Sequence, residues 1–285
     1  MKICDILNSR KIVVSCELFP PRKDAEIVRV HETVQRMAML RPDYMSVTYH
    51  KSPDNTVKVA EDIQANGVTA LAHLTCVTST REDIGRVLDG LHAKHIENIL
   101  ALRGDIPEGA AFPSPRQYRY ASELIRQIRE RDGFCVGGAC YPEGHVECRH
   151  KEDDVNYLKQ KVDAGCSFLI TQMFFDNNIL YNFLYRILAK GIEVPVVAGI
   201  MPVTNGKQIR RICALSGTQL PQRFRAIVDK FEDKPEAMRQ AGIAYATEQI
   251  IDLIANGVRA VHIYTMNKPE IAGQIIKNLS AILRG

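Results

Sequence analysis

The stretch Lys11-Ile12-Val13-Val14-Ser15-Cys16-Glu17-Leu18 sets the pattern from which the fold follows. It is a short, near-continuous run of β-branched and apolar residues, which suits a strand covered on both faces. Behind it, Glu26 to Leu40 carries Ile27, Val30, Val34, Met37 and Leu40 at three- and four-residue steps. That is the period of an amphipathic helix. Asp43–Tyr49 then repeats the first run.

The same beat continues outward along the chain. Further strands are predicted at Thr69–Thr75, Ile96–Leu102, Phe134–Tyr141, Ser167–Phe174, Val194–Met201 and Arg259–Thr265. Helical patterns lie between them: Asp83 to Ala93 repeats Ile84, Val87, Leu88 and Leu91, and Asp153 to Ala164 and Ile179 to Ala189 behave likewise. Gly67, Gly165, Gly191 and Gly257 stand just past helical stretches, where a left-handed cap favours glycine.

Strands alternating with helices imply parallel, right-handed crossovers. Eight such units close most economically into an α/β (β/α)8 TIM barrel. The alternative, an open doubly wound sheet of the dinucleotide-binding kind, would carry a GxGxxG turn after its first strand. Here that strand runs into Glu17-Leu18-Phe19-Pro20-Pro21 instead. An insertion, Thr218 to Pro235, precedes the last long helix, which is expected to run to about Ala255. No linker or low-complexity segment divides the chain, so residues 1–285 read as a single domain.

Composition narrows the function. Net charge is +4 and mixed along the chain, and no basic stripe interleaved with aromatics marks a nucleic-acid binder. Gln208-Ile209-Arg210-Arg211 reads as the polar face of a helix. No apolar run approaches a membrane span, and Met1 to Leu7 lacks the pattern of a secretory signal. The eight cysteines form no CxxC pair and several fall in apolar strands, which points to reduced thiols and a cytoplasmic setting. Cys140, His145 and Cys148 lack paired zinc-ligand spacing, so no metal is expected.

A β/α barrel places its chemistry at the C-terminal strand ends. Those ends read Glu17, Thr48 with Tyr49, His73 with Thr75, Arg103 with Asp105, Tyr141 with Glu143 and His145, Gln172, Met201 with Pro202, and Tyr264 with Asn267. Glu17 sits among apolar residues, where desolvation favours the neutral acid and fits it for general-acid work; the other reading is a buried Glu paired with Arg or Lys. Arg103-Gly104-Asp105 suits a phosphate or a heterocycle carbonyl, or else a tight turn closed by an Arg–Asp pair. His73 could be a core residue or a ligand, and buried Gln172 must find hydrogen bonds. No Lys stands where a Schiff-base aldolase needs one, and no set of His or carboxylates suits a metal-dependent hydrolase.

These motifs in this order resemble the methylenetetrahydrofolate reductase family. The match runs through Glu17-Leu18-Phe19-Pro20-Pro21-Arg22, Ser46-Val47-Thr48-Tyr49, His73-Leu74-Thr75-Cys76, Leu102-Arg103-Gly104-Asp105 and Tyr141-Pro142-Glu143. It continues through Ile170-Thr171-Gln172-Met173-Phe174-Phe175-Asp176 and Gly199-Ile200-Met201-Pro202-Val203. The chain looks like the short prokaryotic form, the catalytic barrel alone.

The resemblance implies FAD at the barrel mouth and a ping-pong reduction of 5,10-methylenetetrahydrofolate to 5-methyltetrahydrofolate, with NADH or NADPH as electron donor. It implies Glu17 as general acid and Asp105 beside the pterin and flavin. Gln172, Gln208 and Lys268 are implied as folate contacts. Thr48, His73, Arg103, Gly104, Asp105, Tyr120, Ala121, Tyr141, His145, Asp154 and Lys161 are implied as FAD contacts. A homo-oligomer is expected, and some relatives take electrons through a partner subunit. The chain departs from the family at His50-Lys51-Ser52-Pro53-Asp54-Asn55-Thr56, where a Gly-rich loop is usual, at Ile212, where some members have Phe, and at Tyr157, where some have Asn. A flavin- and folate-binding subunit inactive on its own, and an unrelated barrel lyase, are the competing expectations.

Overall fold

The computed structural model describes residues 1–21, 23, 26–49, 53–77, 79–106, 109 and 112–283, with the side chain of Pro53 set aside. Arg22 and the loop residues His50, Lys51 and Ser52 lie outside the described residues.

Eight parallel strands close into one barrel in sequence order, β1 pairing with β8. They are β1 (Val13–Leu18), β2 (Tyr44–Val47), β3 (Thr69–Thr75), β4 (Asn98–Leu102), β5 (Cys135–Cys140), β6 (Phe168–Thr171), β7 (Val196–Ile200) and β8 (Ala260–Ile263). Each falls inside its predicted run. The trimmed ends are where ladder pairing gives way to loop.

Helices cover the barrel: α1 (Ile3–Ser9), α2 (Ile27–Ala38), α3 (Pro53–Ala65), α4 (Arg81–Ala93), α5 (Ala121–Arg129), α6 (Lys151–Asp163), α7 (Asn177–Ala189), α8 (Gly206–Ser216), α9 (Gln222–Phe231), α10 (Pro235–Ala255) and α11 (Pro269–Asn278). The Thr218 to Pro235 insertion contains a helix, α9, whose buried Phe224 and Val228 anchor it.

The period of two splits every strand between two environments. Val14, Cys16, Met45, Val47, Ala70, Ala72 and Ile99 face outward into the layer shared with the helices. The inward set is graded along the barrel axis. Val13, Tyr44, Leu71, Leu100, Cys135, Phe168, Val197 and Ala260 pack at the N-terminal end with Ile3, Ile6 and Leu7 of α1. That short helix closes the bottom of the barrel, and the Asn98 side chain fixes it by accepting from the Ile3 amide (2.8 Å) and donating to Ala70 O (3.1 Å). Two residues further along their strands, the same inward rows carry Ser15, Ser46, His73 and His262, all buried. The interior therefore changes from apolar floor to polar ceiling within one turn of the pleat.

A separate apolar cluster of Met173, Phe175, Val203, Ile209, Phe224 and Met238 seats α8 and α9 on the C-terminal face. Phe224 stacks on Tyr245 at 3.9 Å, and Tyr245 donates to Phe175 O (2.6 Å). A Cβ at Gly242 would collide with Val203 O, so α10 and the loop after β7 meet only through glycine.

Candidate active site

Two adjoining cavities open at the C-terminal mouth, and Leu102, Ala139 and Tyr141 line both. The inner one, about 280 Å³, sits over the barrel axis. The outer one, about 540 Å³, lies between α5, the β5–α6 connection and α6. Both volumes are of the order used for organic ligands.

Glu17 lines the inner cavity, buried among Phe19, Leu100, Leu102, Ile170 and Met173. Among the described residues no cation pairs with it. Desolvation pushes its carboxyl up to about 8 from an ordinary 4.5. Its backbone is fixed by the Thr265 hydroxyl, which donates to Glu17 O (2.6 Å). Below it, His262 is held on both ring nitrogens, by the Ser15 hydroxyl (2.7 Å) and the Ser46 hydroxyl (3.1 Å). His73 lines the same cavity with a buried Nε2 that has no hydrogen-bond partner among the described residues. Burial lowers both histidines to about 3, so both are neutral imidazoles.

Opposite Glu17, Gln172 Oε1 accepts from the Met173 amide (2.9 Å). That bond fixes which end of the amide is spoken for and leaves Nε2 as a donor for the cavity. The Tyr264 hydroxyl donates to Thr171 O (2.5 Å). The ring stands where a Cβ on Gly199 would come within 2.6 Å of it. Ile212 completes the wall from α8.

The outer cavity is built of charge. Asp153, Asp154, Tyr157, Gln160 and Lys161 line it at three- and four-residue steps, so one face of α6 forms its side. Lys161 donates to Ala139 O (2.6 Å), and its Nζ lies 5.9 Å from the Tyr141 ring centroid. Burial lowers its pKa and raises that of Asp154 beside it. The His145 ring meets Tyr141 edge-on at 4.7 Å. Arg103 gives both terminal nitrogens to Glu147, at 2.5 and 2.6 Å. The Arg–Asp turn pair read as one option in the sequence is thus replaced by a longer-range partner.

The structure sorts the sequence-predicted residues into three places. Glu17, His73 and Gln172 line the inner cavity, and Tyr141 lines both. Arg103, Tyr120, Ala121, His145, Asp154 and Lys161 line the outer one. Thr48, Gly104, Asp105, Gln208 and Lys268 line neither. Thr48 works through its backbone, donating to Leu18 O and accepting from the Thr56 hydroxyl (3.0 and 3.1 Å). Asp105 and Gln208 are exposed, and Lys268 donates to the Thr204 hydroxyl (3.0 Å).

Sequence reasoning passed over His262, Glu147 and Phe19. His262 falls on the same inward face as Ser15 and Ser46, but only the registers Ser15↔His262 and Ser15↔Tyr44 reveal it, so it carried no local signal. Glu147 carried none, since its partner lies 44 residues away. No group of three or more His, Cys, Asp or Glu residues that could hold a metal ion occurs among the described residues. No helix there is long and apolar enough to cross a membrane.

The residues present fit an FAD on two counts. The outer cavity offers Lys161 and Arg149 to a diphosphate, while the first turn of α6 beside them carries Glu152, Asp153 and Asp154. Among the described residues the buried His73 Nε2 in the inner cavity has no hydrogen-bond partner, so a polar ligand edge there would satisfy it.

Comparison with known proteins identifies the family. The family described as methylenetetrahydrofolate reductase matches residues 2–280. The 5,10-methylenetetrahydrofolate reductase of Escherichia coli (strain K12) is 33% identical over 273 residues, covering 94% of this chain and 91% of the relative. That of Pectobacterium carotovorum is also 33% identical, over 94% of this chain and 90% of its own length. The Zea mays protein named methylenetetrahydrofolate reductase (NADH) 1 is 32% identical, and its match takes in 99% of this chain but 50% of that one. A Clostridium thermocellum protein described as binding two copies of 5-methyl-5,6,7,8-tetrahydrofolic acid shares the fold, with TM-score 0.70 at 15% identity over 100% of this chain and 99% of that one. With its profile matched from end to end and its bacterial relatives aligned over nine-tenths of their length, the chain belongs to the methylenetetrahydrofolate reductase family.

Proposed function

We propose that this protein reduces 5,10-methylenetetrahydrofolate to 5-methyltetrahydrofolate, with FAD spanning the two cavities and NADH or NADPH as the source of electrons. The observation that carries the reading is Glu17, a buried carboxyl with no cation beside it among the described residues, in a cavity that adjoins the charged one. The chemistry FAD supplies when bound is hydride storage between a nicotinamide donor and the folate's one-carbon unit.

The protein's part begins with a proton. Glu17 stays protonated at neutral pH and gives that proton to a nitrogen of the folate's five-membered ring. The carbon–nitrogen bond then opens to an iminium cation, and addition of hydride to the one-carbon centre gives the methyl group. Glu17 is left as a carboxylate and is reprotonated from solvent. Gln172 Nε2 orients the pterin edge, with its own amide plane fixed by Met173. Ile212, Met201 and Met173 exclude water from the reacting faces. Asp105, exposed at the rim, supplies negative charge toward the cation from outside the cavity. Lys161 and Arg149 would hold the diphosphate, and neutral His73 would meet the flavin's polar edge through Nε2.

The test is anaerobic mixing of the purified protein with NADH or NADPH while the flavin absorbance is followed. Prompt bleaching, then recovery on adding 5,10-methylenetetrahydrofolate, is expected. Absence of bleaching with normal reoxidation by folate after chemical reduction would replace the nicotinamide with a partner electron-transfer subunit. A colourless protein that takes up no flavin would overturn the proposal.

A further inference from the structure

Arg103 lines the outer cavity, and three of its five N–H donors are already engaged. Nη1 and Nη2 go to Glu147 at 2.5 and 2.6 Å, and Nε goes to Gly104 O at 3.2 Å. A carboxylate in that fork occupies the place a phosphate oxygen pair would take, because both present two oxygens to two parallel N–H groups. The two partners are unequally placed: the Arg103 side chain is 21% exposed and that of Glu147 is 55%. If the pair opens, Glu147 returns to water while Arg103 stays in the wall. Glu147 lies in the connection between β5 and α6, past Gly144 at φ +93, and its amide donates to His145 Nδ1 (3.2 Å). The carboxylate can therefore swing without moving its backbone anchor. Lys161 and Arg149 line the same cavity, and Arg149 has no ion pair among the described residues.

We infer that Glu147 is a specificity-determining residue of the outer cavity: its carboxylate fills Arg103 as an internal stand-in, which a phosphate-bearing ligand must displace. This rests on reading the outer cavity as the site of a flavin dinucleotide. Every ligand phosphate that reaches Arg103 then competes with Glu147, whereas a ligand without phosphate does not. The pair is half-exposed, so the competition is modest, about twofold to fivefold in affinity.

The experiment is a fluorescence titration of the apoprotein with riboflavin, FMN and FAD, for the wild type, Glu147→Gln, Glu147→Ala and Glu147→Gln combined with Arg103→Gln. Expected is tighter binding of FMN or FAD, or both, by about twofold to fivefold in both single variants, with riboflavin unchanged. The gain should vanish when Arg103 is also replaced. Unchanged or weaker FAD binding in Glu147→Gln would overturn the inference and make Glu147 a strut that orients Arg103. An equal gain for riboflavin would overturn it too. Failure of the wild type to bind any of the three flavins overturns the functional reading itself, so the two failures are distinguishable.

Discussion

The two cavities share a wall and handle charge in opposite ways. The inner one isolates a single carboxyl: among the described residues Glu17 has no counter-ion, the histidines near it are neutral, and apolar side chains line much of its cavity. The outer one crowds opposite charges together, with Lys161 by Asp154 and Arg103 against Glu147. Desolvation without a partner moves a pKa far from its ordinary value, which suits proton transfer. Paired charges largely cancel and serve to recognise an anion while keeping the site folded without it. On the proposed function, chemistry and cofactor retention are separable, and perturbing one cavity should spare the other.

The largest expected effect is on the proton donor. Glu17→Gln should slow the folate half-reaction by about 10²- to 10⁴-fold while reduction of the flavin by its donor stays near wild type, both read by anaerobic stopped-flow. Equal loss in both half-reactions, with FAD still bound, would break the separation.

Next comes the pH dependence of folding. Glu17 is raised in the folded state, from 4.5 to about 8, so the folded protein holds a proton that the unfolded chain has released. This contribution to stability falls as pH rises between those values and levels off above about 8. Glu17→Gln removes the dependence. Urea unfolding of the flavin-free proteins should show the variant gaining on the wild type as pH rises from 5 to 8, by on the order of 2–4 kcal/mol. Parallel curves would mean that Glu17 finds a partner or water that cancels its burial.

A smaller effect is expected from packing. Gly199→Ala places a methyl against Thr171 O and the Tyr264 ring, and should cost about 1–3 kcal/mol in denaturant unfolding. Because Tyr264 lines the inner cavity, folate affinity should fall while flavin affinity holds. The smallest is in the outer cavity: Lys161→Met should weaken FAD about tenfold by equilibrium titration, with the bound flavin still passing hydride to folate at the normal rate. A slowed hydride step there would join the two cavities into one functional unit.

Much of this was legible in the sequence, and the reason is geometric. Strand residues alternate, so Ser15 and Glu17 had to share a face, as did His73 and Leu71. Glycine breaks and three- to four-residue apolar steps marked the helices between. Local pattern failed where the stabilising contact is distant. The Ile3–Ser9 segment is a helix because the barrel floor buries Ile3, Ile6 and Leu7. The Thr218 to Pro235 stretch reads as an insertion until Phe224 is seen between Phe175 and Tyr245. Thr48 looked like a side-chain ligand, but its described hydrogen bonds run through its backbone.

By itself the sequence determined an eight-fold β/α rhythm, the end of the barrel that bears chemistry, and the isolation of Glu17 among apolar neighbours, since each is a property of adjacent residues. Only the tertiary structure decided that the site is two cavities, that Glu17 has no counter-ion among the described residues, and that Arg103 is held by Glu147. Those are questions of which distant side chains meet once the barrel closes. Closure fixes register between strands that no local pattern can compare.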